Sequence, residues 1–488
     1  MGACSLIKST VLNSTSLTAL AERGIRTPNY PLSGAIGVVH LGLGAFHRAH
    51  QAIVFDALLQ SGDKRWGVLG VAMHNPAVAD ALKTQDGLYA VQIASSAGTH
   101  WQVPGAIWHT CLATREAQQV IDAMAAPTTR WVTLTVTEKG YGPELAALLV
   151  QGLAARQAAG LGGLTLASCD NLSENGRKLE ALCVATARSS EHAGLAHWIA
   201  EACAFPNSMV DRIVPAATPE RLQSAEQALG VHDKAALGTE AFWEWVIERH
   251  FVDATDGDTL AAVGVTVVDD VRPFETAKLR LLNGSHTAMA CLGAVAGLPV
   301  ISDCIAQPAV RQFIHRLMTE EVGPQLQRQD WPQYRDALLD RFANPVLQHS
   351  VPQIATDCSQ KIPQRWPASA LGVLNAHRMP ECLAFAAAVW LRYLRAVDDQ
   401  GKPYPLNDPM AAHLHTLAMT HGANTTADAT ATVQALCTLP AIWGDALPQH
   451  AVWLARIAHW LSQINQHGVI PALTSFNALH TVNNLSAP

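Results

Sequence analysis

Ile36-Gly-Val-Val-His-Leu-Gly42-Leu-Gly44-Ala-Phe-His-Arg-Ala-His-Gln51 is the stretch whose reading decides the fold. An apolar run over residues 36–41 has the look of a buried strand and passes straight into Gly42-x-Gly44. Apolar residues then recur at helical spacing over residues 52–59. A second apolar strand is expected at 66–73, so the order is strand, glycine turn, helix, strand, the opening of a dinucleotide-binding unit. The first glycine permits the tight turn. The second lets backbone N–H groups approach a pyrophosphate at the positive end of the helix. The third position of G-x-G-x-x-G holds His47 instead of glycine, so an ordinary glycine-rich strand-to-helix turn stays open as an alternative. His47 and His50 stand three apart and could ligate a metal. No third ligand stands nearby, however, and no metal is expected.

Further along, residues 130–137 and 164–168 read as β-branched or apolar strands. They run into Glu138-Lys139-Gly-Tyr141 and Cys169-Asp170-Asn171, polar residues at the carboxyl ends of strands, where ligands gather in parallel sheets. The second strand ends His74-Asn75-Pro76, with neither the acid that favours NAD nor an arginine for a 2′-phosphate. Asn75 is the candidate ribose contact, and NAD is expected with NADP not excluded. The candidate cofactor contacts are therefore Gly42, Gly44, Ala45, Phe46, His47, Asn75, Glu138 and Lys139. From about residue 273 the texture turns alanine-rich and helical, with helices expected at 278–297, 308–320, 330–342, 380–395, 408–421 and 448–467. An α/β domain over residues 1–270 and a helical domain over 271–488 follow.

Composition bounds the rest. Of 488 residues, 49% are hydrophobic and 15% charged, enough to bury two sizeable cores and too apolar for global disorder. A net charge of −7 gives no general attraction to phosphate backbones or anionic lipid, so neither nucleic acid nor membrane is an expected partner. The 10 cysteines show no C-x-x-C pair, which speaks against zinc and redox motifs. The first residues lack a basic segment followed by an apolar run, and reduced thiols in a cytoplasm are the natural expectation.

Chemistry is carried by Glu275-Thr-Ala-Lys278-Leu-Arg-Leu-Leu-Asn283-Gly-Ser-His286. At about 100° per residue, with Lys278 at the origin, Glu275 falls near +60°, His286 near +80° and Asn283 near +140°. The four polar residues share one arc, and a solvated helix face is the plain alternative. Facing a cleft instead, a desolvated lysine sheds its proton more readily and can act as general base toward an alcohol or general acid toward a ketone. An asparagine N–H can stabilise the developing oxyanion. Histidine can hold the reacting oxygen, and Glu275 can relay the proton or pair with Lys278.

These residues carry a resemblance. The chain resembles the polyol-specific long-chain dehydrogenases, the family of mannitol 2-dehydrogenase, arabinitol dehydrogenase and fructuronate reductase (mannonate oxidoreductase). The signature K-x-x-x-x-N-x-x-H is present as Lys278, Asn283 and His286. Residues 40–51, 134–141, 168–171, 205–220 and 269–275 match further family motifs. The resemblance spans roughly residues 35–480. It implies a Rossmann-type domain followed by a helical domain like the carboxyl-terminal domain of 6-phosphogluconate dehydrogenase. It also implies metal-independent hydride transfer between NAD(P) and a ketose or keto-uronate. By resemblance Lys278 is the general acid/base, Asn171 and Asn283 form the oxyanion site, and His286 assists substrate binding. Asp211 and Lys361 match substrate ligands.

Substrate choice turns on fewer residues. An arginine precedes the matching lysine by eight residues in mannitol dehydrogenases. Here that position is Gln353, as in fructuronate reductases, and Gln360-Lys-Ile-Pro-Gln-Arg365 also resembles the uronate branch. Lys139 or Arg365 would then meet a carboxylate. The segment His349-Ser-Val-Pro and the Pro380-Glu-Cys-Leu-Ala segment lean the other way. The resemblance thus favours fructuronate reduction slightly over mannitol or arabinitol oxidation, and leaves a monomer or weak oligomer as the expected state. A non-catalytic nucleotide or sugar sensor on the same fold is the competing class, and a zinc alcohol dehydrogenase lacks its ligands here.

Overall fold

The computed structural model describes residues 11–95, 98–192, 194–215, 218–347, 349–423 and 425–485, with side chains to residue 480. Cys4 and most of the amino-terminal stretch lie outside them. The chain divides into two compact units between Arg272 and Pro273.

Eleven strands lie among the described residues of the first unit. They are β1 (Val38–Leu41), β2 (Val68–Ala72), β3 (Val91–Ser95), β4 (Gly98–Gln102), β5 (Ile107–Leu112), β6 (Trp131–Leu134), β7 (Thr165–Ser168), β8 (Ser208–Asp211), β9 (Leu237–Glu240), β10 (Glu244–Glu248) and β11 (Thr266–Val268). The central sheet runs β5-β2-β1-β6-β7, every pair parallel. Along the chain its strands are third, second, first, fourth and fifth, so the order reverses beside β1, the switch point at which doubly wound sheets bind ligands. Every residue of β1 and β2 is buried, as a sheet covered on both faces requires. Alternation sorts the side chains. Val39, Leu41, Leu69, Val71, Val132 and Leu134 join Leu145, Leu149, Leu153 and Leu179 in one core. Val38, Val68, Trp131 and Ala167 join Phe55, Trp66 and Trp245 in the other. Two smaller sheets, β11-β10-β8 and β4-β3-β9, complete the unit.

The second unit is helical. The helix Glu381–Tyr393 has every residue from Cys382 onward buried. It packs against Gly284–Ala296 and Ala451–His467. The expected helices form, most shortened by a residue or more at their ends, and two of them change character: Lys278–Asn283 and Leu317–Val322 are π-helical. All nine described cysteines are reduced and buried. Among the described residues no helix is long and apolar enough to cross a membrane, and no cluster of three or more metal-ligating side chains occurs.

One buried acid in this unit has a measurable signature. The Glu321 carboxylate accepts from the backbone N–H groups of Cys382 (2.5 Å) and Leu383 (2.9 Å), capping the start of the central helix. Burial pushes its pKa up to about 7 from 4.5, outweighing those two donors. The native state therefore holds a proton between pH 4.5 and about 7 that the unfolded chain has released. This contribution to stability is full below pH 4.5 and is lost as pH rises toward about 7. Glu321→Gln keeps an acceptor but cannot ionise. The variant should therefore lack a stability decline on the order of 3 kcal/mol across that range. Urea unfolding of wild type and variant at pH 5 and pH 7.5 measures the difference.

Candidate active site

In the first unit the glycine turn is built by backbone geometry. Gly42 and Leu43 both donate to Val71 O (2.9 and 3.0 Å), tying the turn to the end of β2. Gly42 has φ +97°, and a Cβ there would lie 2.2 Å from Thr135 O, so glycine is required by the fold itself. Gly44 differs: a Cβ would meet nothing nearer than Gly42 O at 3.6 Å. The protein leaves that side open, and a bare backbone there fits the close approach of a pyrophosphate. The helix that follows is only Ala45–Ala49, kinked at His50 before Gln51–Gln60 begins. The helix-end contribution to anion binding is correspondingly short.

His47 stands where a third glycine would. Its ring is wholly buried and stacked on His40 at 3.3 Å. His40 is itself held by Thr133 Oγ1 (2.8 Å) and Thr135 Oγ1 (2.9 Å). Burial depresses both imidazoles, His40 to about 3, so the stack is neutral and braces the turn. Phe46 stacks on His50 at 5.1 Å. Asn75 is exposed, and its side-chain oxygen accepts from Ala77 N (2.9 Å).

At the carboxyl ends of β6 and β7 a second polar group forms. Asp170, buried, accepts from Thr137 N (2.7 Å) and from Tyr141 Oη (3.1 Å), and Tyr141 also reaches Ser168 Oγ (2.5 Å). Thr137 is held at φ +66°, a conformation unusual for a β-branched residue, and Asp170 secures it. This fixes the exposed turn Glu138–Gly140 that carries Glu138 and Lys139. Asn171 follows Asp170 and is exposed, while Asp211 is buried at the end of β8. Asp170 and Tyr141 sit inside motifs already quoted, but their anchoring role depends on contacts that the sequence does not show.

In the second unit, Glu275 and Lys278 are half-buried on consecutive turns, and Lys278–Asn283 is one π-turn. The bond from Gly284 N to Leu279 O spans five residues. Residues five apart in a π-turn take the stacking that residues four apart have in an α-helix. Lys278 and Asn283, five apart, thus share a side, instead of the wide separation that uniform α-helical geometry gives. The His286 ring is buried against Phe342 (4.6 Å) and edge-on to His349 (5.0 Å). Burial, with Lys361 beside it, pushes His349 down to about 4, so its imidazole is neutral. Lys361 Nζ donates to Ile354 O (3.1 Å) and Thr356 O (2.5 Å), and burial, reinforced by Arg365, lowers its pKa. Arg365 donates to Asn283 O (3.0 Å) and Thr287 Oγ1 (2.6 Å). Gln353 stands exposed on the short helix Val351–Ile354. The unit thus gathers Asn283, His286, Lys361 and Arg365, on and beside the π-turn that carries Lys278, with two residues not anticipated as site members, Phe342 and His349. Both lie outside the lysine segment, and only the fold brings them to His286.

A parallel sheet that reverses order beside an open glycine turn is the arrangement of a Rossmann-type dinucleotide-binding domain. Residues 36–257 match the mannitol dehydrogenase Rossmann domain and residues 270–465 the mannitol dehydrogenase C-terminal domain. The chain belongs to the mannitol dehydrogenase family. It is 38% identical to the D-mannonate oxidoreductase of Escherichia coli K12 over 467 residues, 88% of this chain and 93% of that one. It is also 38% identical to a mannitol 2-dehydrogenase of Phaeosphaeria nodorum over 441 residues, 84% and 77% of the two chains. The structure of Pseudomonas fluorescens mannitol 2-dehydrogenase in ternary complex with NAD and D-mannitol superposes with a TM-score of 0.81 at 30% identity. That match covers 96% of this chain and 99% of the other.

Proposed function

We propose that this chain interconverts a keto-uronate and an aldonate, fructuronate and mannonate before fructose and mannitol, with NAD as cofactor and NADP not excluded. Residues 1–270 are assigned to the dinucleotide and 271–488 to the sugar. The observation that carries the reading is the π-turn, which sets a half-buried amine and a side-chain amide on one side of the lysine helix, next to a buried histidine. Bound nicotinamide would supply the hydride for reduction. Lys278, protonated, gives the proton to the carbonyl oxygen, and the amides of Asn283 and Asn171 stabilise the charge on that oxygen as it develops. His286 orients the neighbouring hydroxyl, Glu275 carries the proton onward to water, and Asp211 accepts from a sugar hydroxyl.

Uronate is preferred because Gln353 replaces the arginine found in mannitol dehydrogenases and because one 38% relative carries the name D-mannonate oxidoreductase. The carboxylate is assigned to Lys361, which has one N–H beyond its two carbonyl bonds, or to Lys139; Arg365 donates through Nη1 to Asn283 and Thr287, and its other N–H groups leave it a candidate as well. The partner is a small sugar, with no nucleic acid or membrane, and the setting a cytoplasm, the protein working as a monomer or weak oligomer.

The test is a panel of fructuronate, fructose, mannonate, altronate, hexitols and pentitols, each with both nicotinamide cofactors. Fructuronate should exceed fructose in kcat/KM by at least tenfold. A higher value for fructose would move the assignment to the polyol branch. Binding of NADH without turnover of any sugar would replace the enzyme by a sensor.

A further inference from the structure

We infer that Arg365 and Trp366 are positioning residues that hold the lysine helix in its π-turn, and so set Lys278 and Asn283 side by side. The inference rests on the proposed roles of those two residues. A π-turn inserts one residue into the α-helical ladder, a rare arrangement that surrounding contacts must hold in place. The register returns at Asn283 and Gly284, where the π-turn ends and Gly284–Ala296 begins. The carbonyls at that junction are met by side chains from one distant segment. Arg365 Nη1 donates to Asn283 O at 3.0 Å and Trp366 Nε1 donates to Gly284 O at 3.1 Å. Thr287 Oγ1 donates to Asn283 O (3.0 Å) and receives Arg365 (2.6 Å), closing a small ring of hydrogen bonds.

Both donors lie at the end of the helix Cys358–Arg365, the same helix that carries Lys361. Trp366 is fully buried, so its indole N–H has no recourse to water. A Cβ at Gly284 would meet the Trp366 ring at 3.7 Å, an ordinary contact, so the indole packs close against the junction. Without these donors the junction is released to relax toward uniform α-geometry. That would rotate Asn283 away from Lys278.

The test uses Arg365→Ala and Trp366→Phe in the full chain, read by amide hydrogen exchange over residues 278–287 and by steady-state kinetics. Exchange there should quicken at least tenfold in each variant while the rest of the unit keeps its protection. With fructuronate and NADH, kcat should fall roughly 10- to 100-fold with KM changed less than threefold, because misplaced groups are lost to the transition state rather than to binding. Guanidinium ion added to Arg365→Ala should restore at least part of the rate. A rise in KM confined to carboxylate substrates, with exchange unchanged, would make Arg365 a substrate ligand and overturn the inference. If wild type turns over no sugar, the proposed reaction fails, and exchange alone decides whether the clamp exists. If Arg365→Ala does not fold, exchange in Trp366→Phe decides it.

Discussion

Lys278→Ala is expected to lose at least 10³-fold in kcat in both directions while binding NADH as wild type does. General acid–base transfer contributes typically about 10²–10⁴-fold, and this lysine is the proposed proton donor and acceptor. The glycine turn belongs to the other unit and depends on Gly42, Val71 and Thr135, none of which the substitution touches. Fluorescence titration of NADH and single-turnover absorbance separate the two quantities. The wild-type pH dependence has a fixed sign. Alcohol oxidation needs the amine neutral and should rise with pH, while ketone reduction needs it charged and should fall. Lys278→Ala should lose both limbs. Near-normal turnover in the variant would remove the amine from the chemistry.

Asn283→Ala and Asn171→Ala are each expected to lower kcat by about 10²–10³-fold, the loss typical of one oxyanion donor. Asn283 is the sharper case because its two functions separate. The side-chain amide is the proposed donor, whereas the backbone carbonyl is the atom that Arg365 and Thr287 grip. Truncation to alanine removes the first and keeps the second, so the π-turn should persist while the rate falls. KM should change little, since the donor is felt by the developing charge and only weakly by the ground state. Circular dichroism together with kcat and KM for both variants is the measurement. A loss expressed wholly in KM would make the asparagines ordinary substrate contacts.

What the sequence disclosed follows from which interactions are local. Gly42 was readable because a turn at positive φ accepts little else, and the apolar runs of β1 and β2 were readable because a sheet covered on both faces needs apolar side chains throughout. β5 at the sheet edge, the two smaller sheets and the early kink at His50 went unread: their residues carry mixed patterns that long-range pairing overrides. In the site, Lys278, Asn283 and His286 were visible as a spacing, but their mutual angles were not. Uniform α-geometry puts Asn283 at the far edge of the arc. The π-turn that draws it in depends on donors some eighty residues downstream, at Arg365 and Trp366. His349 and Phe342 reach His286 only through tertiary packing. The Glu321 cap escaped notice because one acid of the Glu320-Glu321 pair gives no hint of the helix it will serve.

The sealed thiols described with the fold govern how this protein ages. Every described thiol lies beneath the surface, and Cys291 and Cys358 rest 3.9 Å apart on adjoining helices. An oxidant in solution reaches none of these described thiols in the closed units. Their oxidation must wait for a unit to breathe open, so its rate is set by the frequency of that opening more than by the intrinsic reactivity of the thiol. A ligand that holds a unit shut would then act as an antioxidant without ever touching a cysteine.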